Sequence, residues 1–211
     1  VSGPRSLALA ADADACRAAL EETIAGGGVA LFPADGLYGL ACDPTRADAI
    51  ARIDEIKGRD DGRPSAVLYF SPLALRELLG ALGPRTHRAL AALLPGPVTL
   101  VVANPERRYP LACREDPERL GVRLIEGPLA GAICPILQTS ANRSGEPPPV
   151  RFDQVDPAVA AAVDLAIDGG ELNGQASTVV DLTAIEDGGG WTVLREGGLP
   201  TEELGRLLSD L

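Results

Sequence analysis

Val29-Ala30-Leu31-Phe32-Pro33-Ala34-Asp35-Gly36-Leu37-Tyr38-Gly39-Leu40 is the stretch whose reading decides the fold class. Its first four residues form a short apolar run, the pattern of a buried strand. Pro33 is expected to end that strand, and a small residue, an acid and two glycines follow. On its N-terminal side, Asp12 to Ala25 reads as a helix. Asp12 or Asp14 can cap it, Ala15, Ala19, Leu20 and Ile24 form an apolar stripe, and Gly26-Gly27-Gly28 stops it. A helix that feeds a buried strand is the unit of an α/β layer structure.

The same alternation continues along the chain. Helices are expected over 47–56, 72–79, 84–94 and 158–163, two of them with Pro in the first turn. Strands are expected over 66–70, 98–103, 120–124, 136–139, 165–167, 178–180 and 192–194. A last helix is expected over 201–211, capped by Thr201. Some neighbouring strands have no helix between them, which argues for a mixed sheet over a purely parallel one. No repeat or linker interrupts the pattern, so one domain over 1–211 is the simplest organisation.

Composition narrows the function classes. The 211 residues suffice for a core without staples. Aromatics are only 3%, so that core is built from Ala, Leu, Val and Ile. A formal charge of -11 argues against broad binding of nucleic acid, which is held by cations on phosphates. No apolar run approaches a bilayer span, and the N-terminal residues lack a signal pattern, so a cytoplasmic protein is expected. Cys16, Cys42, Cys113 and Cys134 include no C-x-x-C pair, and His87 is the single histidine. Buried apolar roles suit these cysteines better than metal ligation.

Four segments carry more special residues than a scaffold needs. In 33–40, glycines permit a tight turn or a close approach to a ligand. In Lys57-Gly58-Arg59, with Arg63 nearby, cations end a helix, where they meet its dipole or clamp a phosphate. Gln138-Thr139-Ser140-Ala141-Asn142-Arg143-Ser144-Gly145 puts hydroxyls and an amide at a strand end, either as a self-satisfying turn or as a ligand site. Ser177 opens one strand and Arg195 ends another. Neither a P-loop nor a G-x-S-x-G elbow is present, and His87 has no recognisable nucleophile partner.

Taken in order, these pieces resemble the YrdC-like family, which includes the Sua5-type threonylcarbamoyl-AMP synthases. The family's P-T-[DE]-T-x-Y-G-L is matched by Pro33 to Leu40, and its K-x-R by Lys57 to Arg59. P-G-P-x-T falls on Pro95 to Thr99, G-V-R on Gly121 to Arg123, and T-S-A-N-x-S-G on Thr139 to Gly145. S-T-V-V-D falls on Ser177 to Asp181, and L-R-x-G on Leu194 to Gly197. The match runs from about residue 16 to 200, and each piece alone is weak.

The resemblance implies a twisted, open, mixed α/β sheet with flanking helices and a large concave groove. It implies an enzyme that joins L-threonine, bicarbonate and ATP into threonylcarbamoyl-AMP and releases pyrophosphate, with Mg²⁺ accompanying the ATP. The product would serve tRNA modification by separate partner proteins. By this mapping Lys57, Arg59, Ser140, Asn142, Ser177 and Arg195 hold the nucleotide, with Lys57 and Arg59 in catalytic roles. Asp35, Tyr38, Arg123 and Thr139 hold the amino acid. The chain resembles the short family form, without the extra C-terminal domain of the larger Sua5 proteins.

Two departures stand out. The family's threonines in the first motif are Ala34 and Gly36 here, and its proline and histidine after G-V-R are Ile125 and Gly127. Lost hydroxyls suggest a second reading, an enzyme with another acceptor or carbamoyl donor. A third is a non-catalytic RNA-binding protein, against which the charge and the lack of an aromatic stacking surface both speak.

Overall fold

The structure, a computed structural model, describes residues 3–58, 62–132 and 134–209. In chain order its elements are β1 (Arg5–Ala8), α1 (Ala13–Ala25), β2 (Ala30–Ala34), β3 (Leu37–Cys42), α2 (Ala47–Lys57) and β4 (Ala66–Tyr69). Then come α3 (Pro72–Leu79), α4 (Pro84–Leu93), β5 (Val98–Ala103), α5 (Pro110–Cys113), β6 (Arg119–Leu124) and β7 (Ile136–Ser140). The chain closes with α6 (Pro157–Ala161), β8 (Leu165–Asp168), β9 (Thr178–Asp181), β10 (Thr192–Arg195) and α7 (Thr201–Leu207).

The strands form one open sheet in the order β1-β8-β2-β3-β7-β4-β6-β5-β9-β10. It is mixed, as the missing crossovers required. β8 pairs in parallel with β1 and β2, β4 with β6, and β5 with β9; the remaining neighbours are antiparallel.

Side chains alternate across each strand, and the alternation explains where a site can form. Along β5, β6 and β7, Val98, Leu100, Val102, Leu120, Val122, Leu124 and Leu137 join one large core on the first face, with residues of α2, α3 and α4. The second face has a smaller core. There Cys16, Ala19, Leu20 and Ile24 of α1 cover Ala30, Phe32, Ala34, Leu68 and Ile136, with the Phe32 and Phe70 rings 6.5 Å apart. No residue of β5, β9 or β10 joins this second core. The outward residues of those strands instead border a groove.

The 29–40 stretch differs from its first reading in an informative way. β2 continues through Pro33 to Ala34, and β3 returns beside it in a hairpin, with Ala34 opposite Leu37 and only Asp35 and Gly36 between. Asp-Gly between apolar runs is a hairpin signal, so this turn was legible in the residues. Pro33 is tolerated because pairing to β8 has stopped at Leu31, and its ring packs against Gly169 instead.

Elsewhere the elements lie within a few residues of expectation. Asp12 is the α1 cap, accepting from the Ala15 amide at 2.9 Å. Thr201 is not a cap. Pro200 precedes α7, and the Thr201 hydroxyl bonds to the Glu196 carboxylate. β1 and the four-residue α5 had no sequence signal strong enough to announce them.

Gly36 is fixed by a close approach. A Cβ there would lie 2.1 Å from the Gln175 carbonyl oxygen and 2.5 Å from Asn173 Oδ1, and the Gly174 amide donates to the Gly36 carbonyl at 3.0 Å. We expect Gly36→Thr to cost about 1–3 kcal/mol, the usual range for overpacking, read as a lower urea midpoint at unchanged slope. Full stability would show that 173–175 yields freely.

Candidate active site

The groove has a volume of about 440 Å³. Its floor comes from alternate residues of nearby strands: Thr99 and Val101 of β5, Arg119, Gly121 and Arg123 of β6, Ala66 of β4 between β6 and β7, and Gln138 and Ser140 of β7. Thr139, Ser177, Leu194 and Arg195 also line it, as do Ala34 and Leu37 of the hairpin and Gln175.

Three arginines line it: Arg119, Arg123 and Arg195. The Arg123 side chain is only 7% exposed. Its Nη2 meets Asp35 Oδ2 at 3.2 Å, Nη1 donates to Gln138 Oε1 at 3.0 Å, and Nε is buried without a partner. Burial pulls its pKa below the ordinary guanidinium value. Asp35 opposes that shift, and the charge of Arg195 adds to it. Arg195 is exposed to the groove, with its pKa lowered by partial desolvation, and among the described residues it forms no salt bridge. Guanidinium stays charged under these conditions. The groove therefore holds a buried Arg123 paired with Asp35, Arg119 paired with Asp181, and Arg195 facing it without a carboxylate partner among the described residues, which is a setting for a bound anion.

Local structure explains how Arg195 gets there. The β9–β10 register slips between Val193 and Arg195, so Leu194 is the extra residue of a bulge. Arg195 Nη2 donates to the Ser177 carbonyl at 2.8 Å and lies 3.2 Å from its hydroxyl, which in turn lies 2.8 Å from the Thr99 hydroxyl. Gly197 makes this possible: a Cβ would meet the Ala176 carbonyl oxygen at 2.3 Å and the Thr178 amide at 2.5 Å.

Other residues named from the sequence lie beside the groove instead of on its surface. Lys57 is 4% exposed, and its ammonium donates to the main-chain carbonyls of Ser140 and of Asn142, the latter at 2.7 Å. It ties the end of α2 to the 139–145 segment, and the Ser144 amide donates back to the Lys57 carbonyl at 2.9 Å. Asn142 donates through Nδ2 to the carbonyls of Arg143 and Glu146, while its buried Oδ1 has no partner.

Tyr38 is fully buried. Its hydroxyl donates to the Gly170 carbonyl at 2.8 Å and accepts from the Gly169 amide at 2.9 Å, and burial pushes its pKa up to about 12. It braces the 168–170 loop. Arg59 lies outside the described residues. His87 Nε2 sits 2.6 Å from the Leu79 carbonyl oxygen, a local tie.

The structure adds groove residues that the first reading left out of the site: Gln138, Arg119 and Gln175. Arg119 is bound to Asp181 and sits 3.4 Å from Asp116. Strand periodicity could have found it, since 119, 121 and 123 share one face.

Comparison with known proteins identifies the family and the fold. The Sua5, YciO and YrdC family model, described as telomere recombination, matches residues 22–197. The chain belongs to this family. A relative from Xanthomonas campestris pv. campestris (strain B100), named threonylcarbamoyl-AMP synthase, is 33% identical over 181 residues, covering 82% of this chain and 94% of the relative. Sua5 of P. abyssi in complex with L-threonine superposes with a TM-score of 0.83 at 27% identity, over 100% of this chain. E. coli YciO superposes at 0.77 with 25% identity, covering 97% of this chain and 100% of YciO. This family member spans 62% of the Sua5 chain's length. Among its described residues no helix is long and apolar enough to cross a membrane.

We expect Lys57→Met to strand two main-chain carbonyls and to cost about 1–3 kcal/mol, seen as a lower urea midpoint. An unchanged midpoint would show that the 139–145 segment does not depend on this tie.

Proposed function

We propose that the chain makes L-threonylcarbamoyl-AMP from L-threonine, bicarbonate and ATP, with release of pyrophosphate, as a nucleotidyltransferase that supplies tRNA threonylcarbamoyladenosine modification. The observation that carries this reading is Arg195, which faces the groove with no carboxylate partner among the described residues, next to the buried Arg123–Asp35 pair. An anionic substrate would complete that balance. The names of the curated relatives and the L-threonine complex of Sua5 support the same choice.

In this reading bicarbonate and the threonine amine condense to a carbamate with loss of water. A carbamate oxygen then attacks the α-phosphorus of ATP, and the bond to pyrophosphate breaks. Positioning and charge stabilisation dominate such a step, and no side-chain nucleophile is needed. Arg195 and Ser177, with Ser140, Asn142 and Arg59, hold the nucleotide. Arg123 and Thr139 hold the amino acid, with Asp35 setting the Arg123 side chain. Lys57 and Tyr38 act at one remove, as positioning residues for the 139–145 and 168–170 loops.

Among the described residues no cluster of three His, Cys, Asp or Glu side chains is present to cage a metal. Magnesium keeps several waters and binds through substrate phosphates, so it would enter with the triphosphate. The setting for this chemistry is the cytoplasm, and the product passes to separate tRNA-modification proteins. The charge of -11 speaks against this chain holding the tRNA itself.

The test is pyrophosphate release from ATP with and without L-threonine and bicarbonate. Release is expected to need both. Arg195→Ala should lower kcat/KM for ATP by about 10²–10³-fold, as loss of a preorganised charge donor does. Release by folded protein that ignores L-threonine would sink the assignment.

A further inference from the structure

The amino-acid side of the groove contains a donor that the reading above leaves unused. Gln138 lines the groove half-buried beside Thr139 and Ala34. Its Oε1 accepts from Arg123 Nη1 at 3.0 Å. Guanidinium only donates, so this bond settles which way the carboxamide faces. Nε2 therefore points away from Arg123, towards the hairpin. It lies 2.8 Å from where a Cβ on Gly39 would sit, and the Ala34 Cβ lies 3.0 Å from that same point. Among the described residues Nε2 donates no hydrogen bond.

Ala34 is where the family's first motif carries a threonine hydroxyl. The other lost hydroxyl position, Gly36, is pressed against the Gln175 carbonyl and cannot carry a side chain facing the groove. Small residues at 34 and 39 leave the room into which the Gln138 amide extends. A polar donor next to Arg123, with no protein partner among the described residues, is open to a ligand in the groove, and a ligand that covers it without accepting would leave it stranded.

We propose that Gln138 is a specificity-determining residue, whose Nε2 donates to the side-chain hydroxyl of the amino-acid substrate and replaces the hydroxyl missing at Ala34. The proposal rests on the amino-acid-dependent activity above. A site that hydrogen-bonds a substrate hydroxyl rejects the isostere lacking it, because its own donor is then stranded. L-valine is that isostere of L-threonine.

The experiment compares kcat/KM for L-threonine and L-valine in pyrophosphate release by wild type, Gln138→Glu and Gln138→Met. Glu keeps an acceptor for Arg123 and removes the donor, while Met removes both. The wild type is expected to favour threonine, and both variants to lower the threonine-to-valine ratio by about 10-fold or more, the size of one lost hydrogen bond to a substrate. Folding of each variant is checked by thermal unfolding and ATP binding, and if Gln138→Met fails these, Gln138→Glu decides.

A variant that slows both amino acids equally makes Gln138 a support for Arg123 only, and overturns the proposal. If the wild type releases no pyrophosphate in response to any amino acid, the activity assignment is what has failed. The ratio is then read from equilibrium binding of the two amino acids in the presence of ATP. Equal affinity there for threonine and valine overturns the proposal independently.

Discussion

Arg123 is removed from water on the floor of the groove, and much of the surrounding structure serves to make that tolerable. A buried cation must be paired and hydrogen-bonded, or it costs more than a fold of marginal stability can absorb. Asp35 supplies the countercharge and does so from a backbone with φ of 71°. That conformation is uncommon for a residue with a side chain, and it is found where a site over-determines it. Gln138 supplies a second acceptor from the neighbouring sheet region. Strands β2, β6 and β7 thereby meet at one ion pair through the hairpin turn that follows β2.

The groove exists because the second face of the sheet is covered unevenly. Helix α1 packs over the β8-β2 side, while β5, β9 and β10 present Thr99, Val101, Ser177, Val179, Leu194 and Arg195 to open space. Two close backbone approaches shape its walls, Gly36 against 173–175 and Gly197 against 176–178. Each glycine was visible as a motif residue, and each has a reason only in contacts with chain far away in sequence. The departure at Gly36 thus belongs to the packing of the 173–175 wall, whereas the departure at Ala34 opens onto Gln138.

Burial also divides the motif residues by how they act. Arg123, Arg195, Ser177, Thr139 and Ser140 face the groove. Lys57 donates to main-chain carbonyls of the 139–145 segment, and the Tyr38 hydroxyl bonds to main-chain groups of the 168–170 loop and lies 3.2 Å from the Asp168 carboxylate. Motif spacing cannot separate these cases, because a buried tie and a ligand contact constrain residue type alike. Buried ties of this kind restrict the arrangements a loop can take.

Periodicity and punctuation alone determined most of the elements: α1 with its Asp12 cap, α3 over 72–79, β5 over 98–103 and the mixed sheet all follow from local pattern. The ordered motifs also pointed to the family. Only the tertiary structure decided that β2 turns back as a hairpin at Asp35, that Lys57 faces the main chain, and that Gln138 meets Arg123. The physical reason is that local pattern encodes which face of an element is apolar. Which distant backbone presses on a glycine, and which buried charge an amide must satisfy, depend on segments 15 to 139 residues apart that meet only in the folded protein.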